Sequence, residues 1–235
     1  MFELIDKMTF ITSANDSNPF LGAGLSYQVC GVGAEEPAQA HRLKQVHGTD
    51  FVGAQAGSTD LADLSQLPHG DGLFSTRKGQ VLAIKTADCL PVIIASQSEN
   101  FICVIHAGWR GLSAGILKNG VSMAKDHSAK NDLFAFFGPC IGLGAFEVGP
   151  EVLGVFAQES FGLKPEQLAF AVCKGVRDRW YLDLAVIGAF ELINLGLDPK
   201  NITILRSCTY SHPQLWNSYR RSGSPAPSNW TLAWI

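Results

Sequence analysis

Residues 81–111, V-L-A-I-K-T-A-D-C-L-P-V-I-I-A-S-Q-S-E-N-F-I-C-V-I-H-A-G-W-R-G, contain three short β-branched, apolar runs: Val81 to Lys85, Pro91 to Ala95 and Phe101 to His106. Runs of this length, bounded by polar turns, predict strands. Ser96 to Asn100 (S-Q-S-E-N) has the make-up of a tight connection, so the second and third strands are expected to form a hairpin. Further out, Phe134 to Phe137, stopped by Gly138-Pro139, and Ile202 to Leu205 predict two more strands. Trp230 to Ile235 predicts another after the loop Ser222 to Asn229. Helical spacing fills the gaps. Leu112, Ile116, Leu117, Gly120, Met123 and Ala124 predict a helix over about 112–126. Val152, Val155, Phe156 and Ser160 repeat the pattern behind Pro150, a residue suited to a first turn. Asp183 to Leu195 predicts a third helix, with Asp183 as its N-cap and Gly196 just past its end. Strands and helices in mixed order, with a hairpin, predict a mixed α/β (α+β) fold. No break in composition divides the chain, so residues 1–235 read as one domain.

Composition removes several function classes. With 46% hydrophobic and 17% charged residues, the chain is of ordinary globular make-up and is not a disordered segment. The formal charge of −3 supplies no broad basic field for gripping nucleic acid or an anionic membrane, so neither is an expected partner. The longest charge-free apolar stretch, Leu133 to Phe146, is too short to cross a bilayer and is broken by Pro139. Met1 to Phe10, with Glu3, Asp6 and Lys7, lacks the pattern of a signal or transit peptide. Cys30, Cys89, Cys103, Cys140, Cys173 and Cys208 contain no C-x-x-C pair, so reduced thiols in a cytoplasmic protein are expected.

Three segments place reactive side chains beside tight turns: Lys44 to Gly48 (K-Q-V-H-G), Thr86 to Pro91 (T-A-D-C-L-P) and His106 to Gly111 (H-A-G-W-R-G). Backbone N–H groups of Gly108, Trp109, Arg110 and Gly111, where a helix begins, suit an anion such as phosphate, and Arg110 offers it a two-pronged donor. The competing reading is a plain strand–helix corner with a solvent-facing arginine. Pro91 is expected to interrupt strand pairing and bend the chain near Cys89, which reads as a thiolate nucleophile, a soft metal ligand or an inert buried thiol. His47, Cys89 and His106 together form a donor set suited to tetrahedral zinc with an open fourth position. Their spacing is not that of a zinc finger, so three strand ends would have to converge. The histidines at 41, 47, 69, 106, 127 and 212 form no H-x-H pair, which argues against a copper cluster. A nucleobase-deaminase zinc motif is excluded as well. Leu143 stands where its second cysteine belongs, and no Glu lies two residues past His47, His69 or His106.

These segments, with Asp71 to Leu73 (D-G-L), Gly138 to Gly142 (G-P-C-I-G), Phe146 to Gly149 (F-E-V-G), Trp180 to Leu184 (W-Y-L-D-L) and Ser218 to Arg221 (S-Y-R-R), resemble the YfiH-type laccase-domain family. The resemblance runs from about residue 40 to residue 221. It implies a single four-layer α/β domain with mixed sheets flanked by helices, distantly like toxin-type cysteine hydrolases. It implies a zinc ion on His47, Cys89 and His106, and phosphorolysis of purine nucleosides (adenosine, inosine, methylthioadenosine) with adenosine deamination as a second activity. The family's older label, copper-dependent polyphenol oxidase, fits poorly with the histidine pattern. Some bacterial members are connected with correction of peptidoglycan precursors. Cys89, His106 and Arg110 are then the catalytic candidates, and Gln45, Asp88, Gly108, Trp109, Gly111 and Arg220 the substrate or supporting ones. Two departures stand out. Ser224 to Asn229 reads S-P-A-P-S-N where relatives carry a Gly-Arg pair, and Phe146 replaces a tyrosine. The alternatives are a metal-free Cys89–His106 hydrolase acting on a peptide or amide bond, and a non-enzymatic protein with a structural metal. The latter normally needs four protein ligands.

Overall fold

The computed structural model describes residues 8–11, 25–54, 66–96, 98–128, 132–224 and 227–235. Met1 to Lys7 of the N-terminal stretch, Gln97 of the expected hairpin turn, and Pro225 and Ala226 of the altered tail lie outside the described residues. In chain order the strands are β1 (Thr9–Ile11), β2 (Ser26–Cys30), β3 (Phe51–Gly53), β4 (Gly72–Ser75), β5 (Leu82–Thr86), β6 (Leu90–Ser96) and β7 (Ile102–Ala107). They continue with β8 (Leu133–Phe137), β9 (Glu147–Val148), β10 (Val172–Lys174), β11 (Trp180–Leu182), β12 (Ile202–Leu205) and β13 (Asn229–Trp234). The helices are α1 (Trp109–Ser113), α2 (Ile116–His127), α3 (Pro150–Phe156), α4 (Pro165–Phe170), α5 (Leu184–Asn194) and α6 (Tyr219–Ser222).

Seven strands form a mixed central sheet in the order β1-β12-β8-β6-β7-β4-β3, with the expected β6–β7 hairpin antiparallel at its middle. Its inner strands are apolar without alternation because both faces are covered. Leu90, Val92 and Ile94 of β6 point into one core, with Cys103, Ile105 and Ala107 of β7 and Ala135 and Phe137 of β8. Their neighbours Ile93, Ala95, Ile102, Val104, Phe134 and Phe136 point into the other. Successive residues of a strand face opposite ways, so one run of sequence feeds two cores. The first core is closed by α2 and α5, whose Leu117, Val121, Ile187 and Phe190 are buried in it. The second is closed by the small antiparallel sheet β2-β13-β5, through Leu82, Ile84 and Ala233. A third sheet, β10-β11-β9, and helix α3 add Val148, Val152, Phe156 and Leu182 to the first core, and Leu168 of α4 packs against it. The fold is therefore mixed α/β, with several sheets flanked by helices, as the sequence predicts.

Three local outcomes shape the surroundings of the site. Asp183 caps α5 as expected, its carboxylate accepting the Val186 N–H at 3.0 Å. The single helix expected over 112–126 is two, α1 and α2, divided at Gly115, which adopts a left-handed backbone (φ 90°). Leu112 and Ile116 are both fully buried across the break, so hydrophobic spacing alone does not register the change of axis. Pro91 does not interrupt pairing: it lies within β6, opposite His106. Its carbonyl accepts the Gly138 N–H just after β8 has ended, so the missing proline N–H falls beyond the β8 ladder. The bend occurs earlier in the chain, at Asp88, whose φ is 89°.

Candidate metal centre

Strand direction brings the distant segments together. β3 and β4 are parallel, β7 runs antiparallel to β4, and β6 runs antiparallel to β7. The starts of β3, β4 and β6 and the finish of β7 therefore share one end of the sheet. His47 precedes β3, Asp71 immediately precedes β4, Cys89 immediately precedes β6, and His106 closes β7. Separations in sequence thus become adjacency through topology alone.

One ligand atom from each of His47, Cys89 and His106 lies within 4.8 Å of the other two. Cys89 Sγ stands 3.9 Å from His47 Nε2. Tetrahedral zinc with ordinary Zn–S and Zn–N bonds holds such donors roughly 3.5 Å apart, so this pair would have to close by only a few tenths of an ångström. Gly108 leaves the space open. A Cβ at that position would come 3.0 Å from Cys89 Sγ, 3.0 Å from His47 Cδ2 and 3.7 Å from His106 Nε2. Donor chemistry, spacing and space therefore all fit a metal ion.

Asp71 organises this cluster. It is fully buried (0% exposed), and its two oxygens accept four hydrogen bonds. Oδ1 takes the His47 N–H (2.9 Å) and His106 Nδ1 (2.7 Å), while Oδ2 takes the Gly48 N–H (2.7 Å) and the Val46 N–H (3.2 Å). His106 Nδ1 is thereby engaged, which leaves Nε2 to face Cys89 and His47. This carboxylate–histidine arrangement is how metal-binding imidazoles are commonly oriented. The same bonds hold His47 in its left-handed backbone (φ 60°). Burial alone would raise the Asp71 pKa, but the hydrogen bond and charge of His106 and the N–H groups of Gly48 and His47 bring it below its usual value.

The charge pattern follows from those contacts. Burial pushes the Cys89 thiol up, yet hydrogen bonds and charge from His106 and His47 bring it down to about 7. Burial pushes the His106 imidazole down, yet Asp71 and Cys89 raise it to about 9. A thiolate beside an imidazolium is favoured near neutral pH, and a thiolate is the form that ligates metal.

The other candidate residues fall into two groups. Gly108, Trp109, Arg110 and Gly111 stand at the cluster, at the opening of α1, which no side chain caps. Arg110 is exposed and its guanidinium lies 4.4 Å above the Trp109 ring. Gly111 packs on the His47 loop, where a Cβ would come 2.7 Å from the Gly48 carbonyl oxygen. Gln45, Asp88 and Arg220, by contrast, are occupied by the protein itself. The Gln45 amide pairs with both the N–H and the carbonyl of Lys85, at 2.9 and 2.7 Å, fastening the His47 loop to β5. Asp88 accepts the Thr209 hydroxyl (2.5 Å), the Ser218 hydroxyl (3.0 Å) and the Arg220 N–H (2.7 Å), which ties residues 209–220 to the neighbour of Cys89. The Arg220 guanidinium reaches the carbonyls of Ala145 (3.3 Å) and Glu147 (3.1 Å) above the Phe146 ring. Sequence reasoning assigns no role to Asp71, Thr209 or Ser218. Asp71 and Ser218 sit inside quoted motifs, D-G-L and S-Y-R-R, but hydroxyl and carboxylate partners so far apart leave no periodic trace.

Fold and site define a mixed α/β protein with a Cys-plus-two-His cluster that could hold a metal ion at one end of its central sheet. The chain belongs to the YfiH-type family described as multi-copper polyphenol oxidoreductase laccase, which matches residues 27–235. A protein of Xylella fastidiosa (strain 9a5c), named purine nucleoside phosphorylase, is 37% identical over 202 residues, covering 85% of this chain and 73% of its own. The Escherichia coli (strain K12) protein named purine nucleoside phosphorylase YfiH is 34% identical over 187 residues, covering 79% of this chain and 70% of its own. Among solved structures, YlmD from Geobacillus stearothermophilus superposes with a TM-score of 0.76 at 25% identity, covering 84% of this chain and 73% of that one. The Neisseria meningitidis protein NMB0706 gives 0.69 at 29% identity, covering 83% and 74%.

Proposed function

We propose that this protein is a zinc-dependent purine nucleoside phosphorylase, converting adenosine, inosine or methylthioadenosine and phosphate to the free base and ribose 1-phosphate, with adenosine deamination as a second activity. The observation that carries the reading is the His47–Cys89–His106 cluster with Asp71 behind it, in a chain more than a third identical to a protein of that name. Zinc is preferred to a multi-copper centre because the described residues hold this one three-ligand cluster and the sequence has no H-x-H pair.

Held by His47, Cys89 and His106, the ion would supply Lewis-acid chemistry. The chain's own groups supply the rest. Arg110 and the N–H groups from Gly108 to Gly111 hold phosphate, and Trp109 supports the guanidinium that grips it. A phosphate oxygen attacks the anomeric carbon while the glycosidic C–N bond breaks, and the purine leaves with that electron pair and takes up a proton. Negative charge beside the ribose stabilises the oxocarbenium-like transition state. Asp71 keeps His106 Nδ1 engaged so that Nε2 stays directed at the cluster. We place the protein in the cytoplasm, acting as one domain on small molecules.

The test is to load the protein with zinc and incubate it with adenosine, with and without phosphate. Adenine and ribose 1-phosphate should appear only with phosphate, and inosine in either case. Cys89→Ala should lose the metal and both activities, and full turnover by that metal-free variant would sink the proposal.

A second reading has its own support: Cys89, His106 and Asp71 also have the order of a nucleophile, base and orienting carboxylate. In that form the protein is a metal-free hydrolase of a peptide or amide bond, such as one in a peptidoglycan precursor. Covalent labelling of Cys89 by an electrophile without prior chelation would favour it. Stoichiometric zinc, which occupies the thiolate, would exclude it.

A further inference from the structure

A second pair of cysteines lies at the same end of the central sheet. β8 and β12 are parallel neighbours, and the chain beyond each remains paired, with Cys140 bridged to Cys208. Bridged residues stand about 5 Å apart with side chains on one face, inside the Cα separation of about 4.4–6.8 Å that a disulfide accepts. The Thr209 N–H donates to the Cys140 carbonyl at 3.0 Å, which holds the two segments in register. Cys208 Sγ accepts the Gly142 N–H at 3.2 Å, and residue 142 has no side chain to obstruct it. Both cysteines line one cavity of about 400 Å³, with Arg206, Ser211 and His212 at its wall. Cys140 is buried, whereas Cys208 is half-exposed to that cavity.

We propose that Cys140 and Cys208 form a reversible disulfide, a redox-sensitive cross-link between the two segments that brace the metal centre. The oxidant is a small hydroperoxide such as hydrogen peroxide, which the cavity admits. The Cys208 thiolate attacks one peroxide oxygen, the O–O bond breaks, and hydroxide leaves, giving a sulfenic acid. Cys140 sulfur then attacks the Cys208 sulfur. The S–O bond breaks, and the hydroxyl takes the Cys140 proton and departs as water. Two thiols are oxidised and one peroxide is reduced to two waters. Burial holds the Cys140 thiol well above its ordinary pKa, consistent with its acting second.

The cross-link bears on the site through Asp88. Thr209, beside Cys208, donates its hydroxyl to the Asp88 carboxylate, and Ile141, beside Cys140, donates its N–H to the Asp88 carbonyl. Oxidation therefore fastens together both supports of the residue that precedes Cys89.

The experiment uses the zinc-loaded full chain treated with a few equivalents of hydrogen peroxide and digested without reduction. A peptide containing Cys140 linked to one containing Cys208 is expected, and a thiol reductant should abolish it. The oxidised protein should unfold roughly 5 °C higher than the reduced one, because a long loop is closed. Cys208→Ser should lose both the link and the shift, while its turnover under reducing conditions stays within about twofold of wild type. Peptide mapping of the wild type stands by itself if that variant does not fold. Oxidation of Cys208 to a sulfinic acid with Cys140 still free, or oxidation confined to the other cysteines, overturns the proposal.

Discussion

Two of the buried carboxyl groups, those of Asp71 and Glu191, behave in opposite ways. Asp71, at the end of the central sheet, has four donors and is held below its usual pKa. Glu191, inside the helical layer on α5, is 6% exposed, and its Oε2 has no hydrogen-bond partner. Burial pushes its pKa to about 8, against the pull of the Lys118 N–H and charge on α2. Depth does not separate the two; the number of N–H groups directed at each does. A carboxylate that gathers donors shapes its surroundings, and one with an oxygen left unpaired is a strain on the fold.

The largest expected effect comes from removing the organised group. Asp71→Asn keeps the volume but loses the charge and leaves some donors without acceptors. It should lower metal affinity and turnover by about 10–100-fold, measured by metal titration and phosphorolysis. A variant that binds metal as wild type does would show that the His106 contact is incidental. Next comes Asp88→Ala, which strands three donors from residues 209–220. A loss of about 1–3 kcal/mol is expected, seen as a fall of several degrees in the unfolding midpoint. Turnover should drop roughly tenfold through the displaced Cys89, an effect of the size expected for an outer support of a metal ligand.

The smallest effect, and the one of opposite sign, belongs to Glu191→Gln. The folded-state pKa of Glu191 is raised, so the folded protein binds a proton that the unfolded chain has released once pH exceeds its ordinary value of 4.5. Stability from this group is complete below that value and declines as pH rises towards about 8. The variant should therefore unfold roughly 3 °C higher than wild type at pH 9, with the advantage shrinking towards pH 5 and activity unchanged. Equal midpoints at both pH values would remove the contrast with Asp71.

Legibility in the sequence tracks the range of the interactions. The β6–β7 hairpin and the Asp183 cap depend on residues a few positions apart, and both are readable. The division of 112–126 into α1 and α2 is not, because Gly115 turns the chain while Leu112 and Ile116 stay buried. Pro91 departs from expectation because a missing N–H matters only where a neighbouring strand would have used it, and β8 ends there. For the site, the motifs name the donor residues, but only as reactive types near turns. Gln45 and Arg220 illustrate the limit: the types suit substrate contact, yet their polar atoms are taken by Lys85 and by Ala145 and Glu147.

The sequence by itself determined the mixed α/β class, the absence of a broad basic field and the identity of the His47, Cys89 and His106 set. Each of these depends on residue type, short-range periodicity or total charge. Tertiary structure decided that those three side chains meet, that Asp71 holds the two histidines and that Asp88 braces Cys89. The reason is geometric. Convergence depends on which strands run parallel and which end of each reaches the same edge, and a linear order of residues does not encode strand direction until the sheet has formed.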